Sequence, residues 1–231
     1  MHLETPDDDR FARFAECLTT ESRWADEIYL LGDIVEMWIG DDDDSALAQA
    51  LSAALKAASD HAKVFLLHGN RDFLFGAQFA TQAGVAILPD PSLTEDRLLV
   101  SHGDALCTDD QAYQNMRALF RSEAWQQDIL GKTLAERQAL GAMLRAQSQQ
   151  ENSNKAANIM DVNAQAVSHL LADNATSVLI HGHTHRPGMH VLDHGQTRWV
   201  LGAWERCGWL LRQLDGNLQL ECFSLVRRYG T

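Results

Sequence analysis

Four buried strand patterns in this chain each end in a glycine that stands next to an aspartate, asparagine or histidine. Strand patterns that alternate with helix patterns predict an α/β fold. In open α/β sheets ligands bind beyond the carboxyl ends of the strands, where glycine lets the backbone turn sharply. We therefore expect these residues to converge on one point although they lie far apart in the sequence. The four strand ends are Gly32-Asp33, His68-Gly69-Asn70, His102-Gly103-Asp104 and His181-Gly182-His183.

The spacing of apolar residues predicts the other elements. One segment, 111–172, is helical for much longer than a crossover between two strands requires. The acidic run 41–44 is the only charge block, and its plainest interpretation is a solvated loop that caps a helix. Helices are predicted over 11–20, 46–58, 73–83 and most of 111–172. Strands are predicted over 27–31, 64–67, 85–88, 97–100, 178–180 and in the tail 199–229.

Length and charge exclude several classes of protein. The chain has 231 residues, which is enough to bury a full core, and we interpret 1–231 as a single domain. Its net charge of −13 argues against nucleic-acid binding, so a phosphate-bearing substrate would have to be drawn in by bound metal. The 4 cysteines form no CxxC pair and no signal peptide is apparent, which favours a reducing cytoplasm. No apolar run approaches the roughly 20 residues that span a bilayer, so any membrane contact is expected to be peripheral.

The residue types at the strand ends predict a pair of metal ions. Imidazole, carboxylate and amide oxygen together suit Mn²⁺, Fe²⁺ or Zn²⁺. Two metals in a hydrolytic site of this sort lie about 3.5–4 Å apart and share a bridging carboxylate, for which Asp33 is the candidate. We expect one ion to be held by Asn70, His102 and His181, and His183 to point at the other.

These motifs resemble the calcineurin-like metallophosphoesterase family, and the match spans nearly the whole chain. The resemblance implies a fold of two mixed β-sheets flanked by helices. Arg71 stands where most of the superfamily has histidine, and this is typical of one branch, which hydrolyses UDP-2,3-diacylglucosamine in the lipid A pathway. The residues that carry the likeness to that branch are 31–42, 68–74, 102–110 and 181–187.

The resemblance implies a reaction and a location. Water would attack the α-phosphorus of UDP-2,3-diacylglucosamine and release UMP and 2,3-diacylglucosamine 1-phosphate, with two divalent ions, of which Mn²⁺ is usual. The protein would be a cytoplasmic monomer, peripheral on the inner membrane of a Gram-negative bacterium. Catalysis is assigned to Asp33, Asn70, Arg71 and His102. Metal binding is assigned to His2, Asp33, Asn70, His102, His181 and His183. Substrate binding is assigned to Asn70, Arg71, Asp110, Ser148, Asn152, Lys155 and His181.

The helical insertion 111–172 is interpreted as a lid whose inner face receives two acyl chains. A stripe of this kind is more often plain core packing, but the insertion has no strand of its own to cover. Its polar residues are expected on an outer face, toward water or lipid headgroups. The expected inner face is Leu119, Phe120, Trp125, Ile129, Leu130, Leu134, Leu140, Met143 and Leu144. The expected outer face is Arg117, Arg121, Glu123, Glu136 and Arg137.

The start of the chain departs from the family pattern. The family begins with a strand that ends in Asp-x-His, and both residues bind the first metal. His2 matches the histidine, but the aspartate would lie at position zero. We therefore expect a first β-strand and one ligand to precede Met1, with a start codon assigned too late. Loss of that strand would expose sheet edges and apolar surface.

Two alternatives to the hydrolase stay open. One is a folded but inactive remnant that binds metal or acylated sugar weakly because its first metal site is incomplete. The other is a metallophosphodiesterase that acts on another nucleotide. Arg71 and the segment from Ser148 to Lys155, which resembles the part of the family that joins lid to core, speak against the second.

Overall fold

A computed structural model of the protein describes residues 1–153 and 161–226. Short polar side chains start several of its helices, as the sequence leads one to expect. The Asp8 carboxylate accepts a hydrogen bond from the backbone of Phe11 at 2.7 Å, and Thr133 and Glu136 form a reciprocal capping box. The helices are α1 (Asp9–Glu21), α2 (Ala46–Ser59), α3 (Ala77–Ala83), α4 (Gln111–Phe120), α5 (Glu123–Leu130), α6 (Leu134–Ser153) and α7 (Ala164–Asp173).

The strands form three hydrogen-bonded groups. The first is the parallel sheet β1-β2-β3, the second is the mixed sheet β4-β5-β6-β8-β7, and the third is the antiparallel hairpin of β9 and β10. The sequence predicted this α/β class. The strands are β1 (Glu27–Leu30), β2 (Lys63–Leu67), β3 (Ala86–Leu88), β4 (Ser92–Leu93), β5 (Leu99–Ser101), β6 (Val178–His181), β7 (Gly188–Val191), β8 (Thr197–Val200), β9 (Cys207–Leu214) and β10 (Asn217–Ser224).

Helix α3 begins four residues later than predicted, because a distant aspartate sets its start. The carboxylate of Asp41 accepts hydrogen bonds from the backbone nitrogens of Gly76 and Phe79, each at 2.9 Å, and from the indole of Trp38 at 3.2 Å. The interpretation of 41–44 as a loop that caps a helix is therefore confirmed by Asp41, although the helix is α3 and Asp41 is only partly exposed to solvent. Asp42 is exposed, as the interpretation expects, but its carboxylate also pairs with Arg137.

Three clusters of buried apolar side chains hold the described layers together, and one of them joins the ends of β2, β5 and β6 through Leu67, Val100 and Ile180. Helices α1, α2 and α3 cover the three-stranded sheet through side chains such as Phe14, Leu51 and Phe79. Helix α7 packs through Val167 and Leu171 against the mixed sheet. As a result, the carboxyl ends of β1, β2, β5 and β6 face one common region, which is where open α/β sheets bind ligands.

A cleft of about 1,940 Å³ lies between β1 and β9. Its walls include apolar side chains of both strands, among them Ile28 and Leu211, and β1 is the edge strand of its sheet. The strand expected before Met1 stays a prediction. Within the described part of the chain, none of the helices is both long and apolar enough to cross a bilayer.

Candidate metal centre

Four polar residues, three of them in loops that follow strands, adopt the left-handed backbone region. The φ angles are 58° at His2, 53° at Asp33, 61° at His183 and 55° at His185. Residues other than glycine seldom adopt this conformation, and those that do cluster at functional sites. The concentration of such backbone here marks the loops as a candidate site before any ligand is considered.

Two glycines let the first two loops meet. Gly32 has φ 79°, and a Cβ atom placed on it would lie 2.4 Å from the backbone nitrogen of Gly69. A Cβ placed on Gly69 would lie 2.2 Å from the backbone nitrogen of Asp33. Contacts under 3.0 Å between a Cβ and backbone atoms do not occur in stable structures, so only glycine fits at either position.

Asp33, His102 and His183 each offer one ligand atom, and these atoms lie within 4.8 Å of one another. The Asn70 amide oxygen joins them, 3.1 Å from Nε2 of His102 and 3.0 Å from Nδ1 of His183. Carboxylate, imidazole and amide oxygen make a donor set that suits a divalent transition metal. The residues present therefore fit an ion of that class.

A second set of groups lies on the other side of Asp33. The Oδ2 atom of Asp33 is 3.7 Å from Nε2 of His102 and 3.6 Å from Nε2 of His2. The ring of His185 lies 5.5 Å from that of His2. Asp33 is thus the carboxylate between the two groups of histidines. Sequence reasoning missed His185, although it is the third histidine of the His181–His185 segment and stood beside a predicted ligand.

The structure does not bring His181 into this cluster. His181 is the last residue of β6, fully buried, and its Nδ1 contacts the carbonyl oxygen of Gly182 at 2.9 Å. Its Nε2 lies 3.3 Å from the guanidinium of Arg198. The prediction that His181 shares an ion with Asn70 and His102 stays a prediction, while the described ligand atoms that lie together are those of Asp33, His102 and His183. A strand directs successive side chains to opposite faces, and the left-handed turn at His183 redirects its ring toward Asn70.

Burial and charge set the protonation of these groups. Burial disfavours the charge on Asp33, yet His102, His2 and His183 lower the pKa of Asp33 to about 2. Burial, helped by His102, lowers the pKa of His183 to about 4, and burial with His2 lowers that of His185 to about 4. An ionised Asp33 with neutral imidazoles at His183 and His185 suits metal binding. Burial would lower the pKa of His102, but the charge of Asp33 outweighs it and raises that pKa, so a bound ion would have to displace a proton there.

Asp72 ties the first two loops together, a role that the sequence did not reveal. Its buried carboxylate accepts hydrogen bonds from the backbone nitrogens of Ile34 at 2.7 Å, Gly69 at 2.8 Å and Asp33 at 3.2 Å. Burial, together with the charge of Asp33, raises the pKa of Asp72. His102 is oriented in a similar way, because its Nδ1 contacts the carbonyl oxygen of Leu31 at 2.8 Å.

Arg71 stands at the rim of the centre, beside the acidic residue Glu36. Its guanidinium lies 3.8 Å from the Glu36 carboxylate, which Arg145 of α6 also contacts at 3.0 Å. The Nε atom of Arg71 is buried and has no hydrogen-bond partner among the described residues. A buried donor of this kind is available to an anion.

A pocket of about 110 Å³ opens next to the centre, between the Arg71 loop and α4, α5 and α6. Its apolar walls include some of the stripe predicted for the lid. The prediction of an inner face is wrong for Leu119, Leu130 and Met143, which are exposed. Leu134 is half-buried but does not line the pocket. The members of the stripe that do line the pocket are Phe120, Trp125, Ile129, Leu140 and Leu144.

The outer face predicted for the lid is also partly wrong. Arg137 is buried and donates hydrogen bonds to the carbonyl oxygen of Ile39 at 2.6 Å and to Asp42 at 2.7 Å. Arg117 and Arg121 point inward, toward the loop after β5. Helical spacing alone did not show these contacts, because the anions that attract the arginines come from distant parts of the chain.

The other predicted substrate contacts are placed unevenly. Asp110 caps α4, where its carboxylate accepts a hydrogen bond from the backbone of Tyr113 at 3.1 Å. Ser148 and Asn152 belong to α6, but the structure does not describe their side chains. Lys155 lies outside the described residues.

Comparison with known proteins agrees with this geometry. A UDP-2,3-diacylglucosamine hydrolase of Salmonella typhi is 41% identical over 232 residues, which cover 97% of each chain. A protein of the same name from Chromobacterium violaceum is 45% identical over 211 residues, which cover 87% of this chain and 88% of that one. The family model for the calcineurin-like phosphoesterases matches residues 1–187. With its α/β architecture and converging strand ends, the chain belongs to the calcineurin-like phosphoesterase family.

Proposed function

We propose that this protein hydrolyses the pyrophosphate bond of UDP-2,3-diacylglucosamine by attack of water on the α-phosphorus. The products are UMP and 2,3-diacylglucosamine 1-phosphate. The observation that carries this proposal is the apolar pocket that opens directly beside the metal centre, with Arg71 at the boundary between them. A substrate with a charged diphosphate joined to an acylated sugar has the same two parts. The names of the relatives, at 41% and 45% identity, support the assignment.

The residues of the centre divide between two ions. One ion would be held by Asp33, Asn70, His102 and His183, and the other by Asp33 with His2 and His185. The separation of the two groups by the Asp33 carboxylate supports this division. Divalent ions of this kind lower the pKa of water and offset charge on phosphoryl oxygens, and Mn²⁺ is the ion that we propose.

The chain's own groups bind and orient the diphosphate. Arg71 presents a planar guanidinium that can bind two phosphoryl oxygens at once, which a histidine cannot do. Its charge is moderated by Glu36, 3.8 Å away, so the arginine is held near the centre before substrate arrives. Asn70 stands between His102 and His183 and orients both rings. The ionised state of Asp33 leaves the centre ready to bind cations at neutral pH.

Helices α4, α5 and α6 form the lid of this proposal, and α7 is not part of it because it packs on the mixed sheet. The described pocket is small, so we expect the acyl chains to widen it by moving these helices. Acyl chains are delivered from a bilayer, and we accordingly propose a monomer that acts peripherally at the cytoplasmic face of the inner membrane. Ser148, Asn152 and Lys155 stay predicted substrate contacts, as do Asp110 and His181.

Release of UMP tests the proposal. With Mn²⁺ present, we expect the wild-type protein to release UMP from UDP-2,3-diacylglucosamine, and Asp33→Ala to lower the rate by at least a thousandfold, because it removes the carboxylate between the two groups of histidines. Asp96→Ala changes an exposed aspartate and is the matched control. Circular dichroism establishes that each variant is folded.

Two results would contradict the proposal. A folded wild-type protein that releases no UMP but cleaves bis(p-nitrophenyl) phosphate would be a metallophosphodiesterase for another substrate. An Asp33→Ala variant with the wild-type rate would show that the centre is not the site of the reaction.

A further inference from the structure

Helix α4 carries three polar side chains with a spacing of four residues, Tyr113, Arg117 and Arg121. Residues with this spacing lie on one face of a helix. The face is turned toward the loop after β5 and not toward solvent, and all three side chains contact groups of the metal-binding loops. This is unusual for the first helix of an insertion, which normally presents its charged residues to water.

Asp104 is the group on which this face converges. Its side chain has 0% exposure, and it follows the metal-centre residue His102 by two positions. Its Oδ2 accepts hydrogen bonds from the Tyr113 hydroxyl at 2.9 Å and from Nε of Arg117 at 2.8 Å, and lies 3.8 Å from Arg121. Its carbonyl oxygen accepts a further hydrogen bond from the Gln114 side chain at 2.9 Å. One buried carboxylate thus holds two turns of α4.

Arg121 extends the same face to the other metal-binding loop. Its guanidinium donates to the carbonyl oxygen of Gly69 at 2.9 Å and lies 5.2 Å from the centre of the Phe73 ring. Gly69 precedes Asn70, one of the groups that face the centre. Through one face, α4 therefore contacts the loop after β2 and the loop after β5.

Both the face that carries Tyr113 and Arg117 and the adjoining side of α4 border the pocket. Met116 and Phe120 line it, and the Phe120 ring packs against Trp125 of α5 at 4.6 Å between centroids. Any rotation of α4 about the Asp104 contact would move these apolar side chains relative to the metal centre.

We infer that Asp104 is a positioning residue. Its contacts with Tyr113 and Arg117 fix α4, so that the apolar wall of the pocket keeps a fixed position relative to the metal centre. The inference rests on the proposed function, because it assumes that the pocket receives acyl chains. Tyr113 and Arg117 border the pocket as well, so hydrogen–deuterium exchange, and not KM alone, separates positioning of the helix from direct contact with substrate. Asp104 also borders the pocket, but it is not assigned a contact with substrate. It acts through the helix, and its effect should fall on substrate binding more than on the chemical step.

Arg117→Met and Arg117→Lys test the inference. Arg117→Met keeps the length of the side chain but leaves the buried Asp104 carboxylate without its cation, which is costly. We expect it to raise KM for UDP-2,3-diacylglucosamine at least tenfold with a change in kcat of less than threefold. Hydrogen–deuterium exchange should become faster in residues 111–120 of the full chain. Arg117→Lys, which keeps the positive charge, should have a KM and an exchange rate close to those of the wild type.

Tyr113→Phe removes only the hydroxyl and keeps the test decisive if Arg117→Met does not fold. We expect Tyr113→Phe to raise KM and to speed exchange in the same way as Arg117→Met, with each effect about a third as large. Lys132→Met is the matched control, because Lys132 pairs with Asp128 on the surface of the lid helices and its loss should change neither KM nor exchange.

The outcomes separate this inference from the proposed function. Unchanged KM and unchanged exchange in folded Arg117→Met and Tyr113→Phe would overturn the inference. A loss of kcat of the same size in both variants, with no faster exchange, would also overturn the inference, because it would assign Arg117 and Tyr113 to the chemical step. Faster exchange over residues 111–120 in a protein whose wild type releases no UMP would uphold the anchoring of α4 and reject the proposed substrate.

Discussion

At the scale of single residues, the centre depends on backbone conformations that most side chains resist. Asp33, His183 and His185 all adopt positive φ, and the glycines before and between them let the loops come within contact distance. Such strain is kept only where surrounding contacts hold it, and at Asp33 the carboxylate of Asp72 accepts hydrogen bonds from the backbone of Asp33 and of its neighbours Ile34 and Gly69.

Gly32→Ala is predicted to lower the free energy of unfolding by about 3 kcal/mol or more. About 1 kcal/mol comes from the positive φ of 79°, and the rest from the clash of the new Cβ with the backbone of Gly69. Gly216→Ala is the matched control, because Gly216 has φ 78° but nothing within 4 Å of a Cβ. Urea unfolding of both variants measures the difference. Equal losses would show that the close approach of the two loops is not needed for stability.

At the scale of elements, contacts from distant residues decide where helices begin and which way they face. Helix α3 starts where Asp41 caps it, and α4 turns its arginines inward because Asp104 is buried beneath them. Apolar spacing alone predicts an earlier start for α3 and an outward direction for the arginines of α4. The difference arises because a helix has several possible partners, and a buried carboxylate attracts the donors of whichever helix packs on it.

Asp41→Ala is predicted to lower the free energy of unfolding by about 1–2 kcal/mol. The change leaves the backbone nitrogens of Gly76 and Phe79 without their acceptor, which is the loss of a helix cap. The control is Asp44→Ala, since Asp44 belongs to the same acidic run and is exposed. A shift of the urea midpoint in Asp41→Ala alone is expected. If Asp44→Ala shifts the midpoint equally, the effect belongs to the charge of the run and not to the cap.

At the scale of the whole molecule, the centre joins two sheets. Asp33 and Asn70 follow strands of the parallel sheet, whereas His102 and His183 follow strands of the mixed sheet. An ion bound by all four residues would cross-link the two sheets. Since the unfolded chain does not assemble this set, binding should stabilise the folded protein.

Addition of Mn²⁺ is predicted to raise the melting temperature by roughly 5–10 °C when the ion is at a hundred times its Kd. This corresponds to about 2.7 kcal/mol of linkage free energy in a domain of this size. Excess EDTA should reverse the shift, and Asp33→Ala should abolish it. Differential scanning calorimetry makes the measurement, with Mg²⁺ and Zn²⁺ as comparisons. A shift of the same size in Asp33→Ala would place the stabilising ion elsewhere.

The sequence by itself determined the α/β class, the strand ends that meet at the centre, and most of the groups found there. The reason is that the type of a residue and its place at the end of a strand can be read from the neighbouring sequence. Asp33, Asn70, His102 and His183 were all predicted from that pattern, and the structure brings them together.

Only the tertiary structure decided which way individual side chains point. It set His183 in the centre and His181 against Arg198, and it revealed His185 beside His2. It also turned Arg117 and Arg121 inward. The physical reason is the same in each case: the direction of a side chain after a strand end, or around a helix, depends on backbone turns and buried charges that come from remote parts of the chain. Local periodicity does not contain that information.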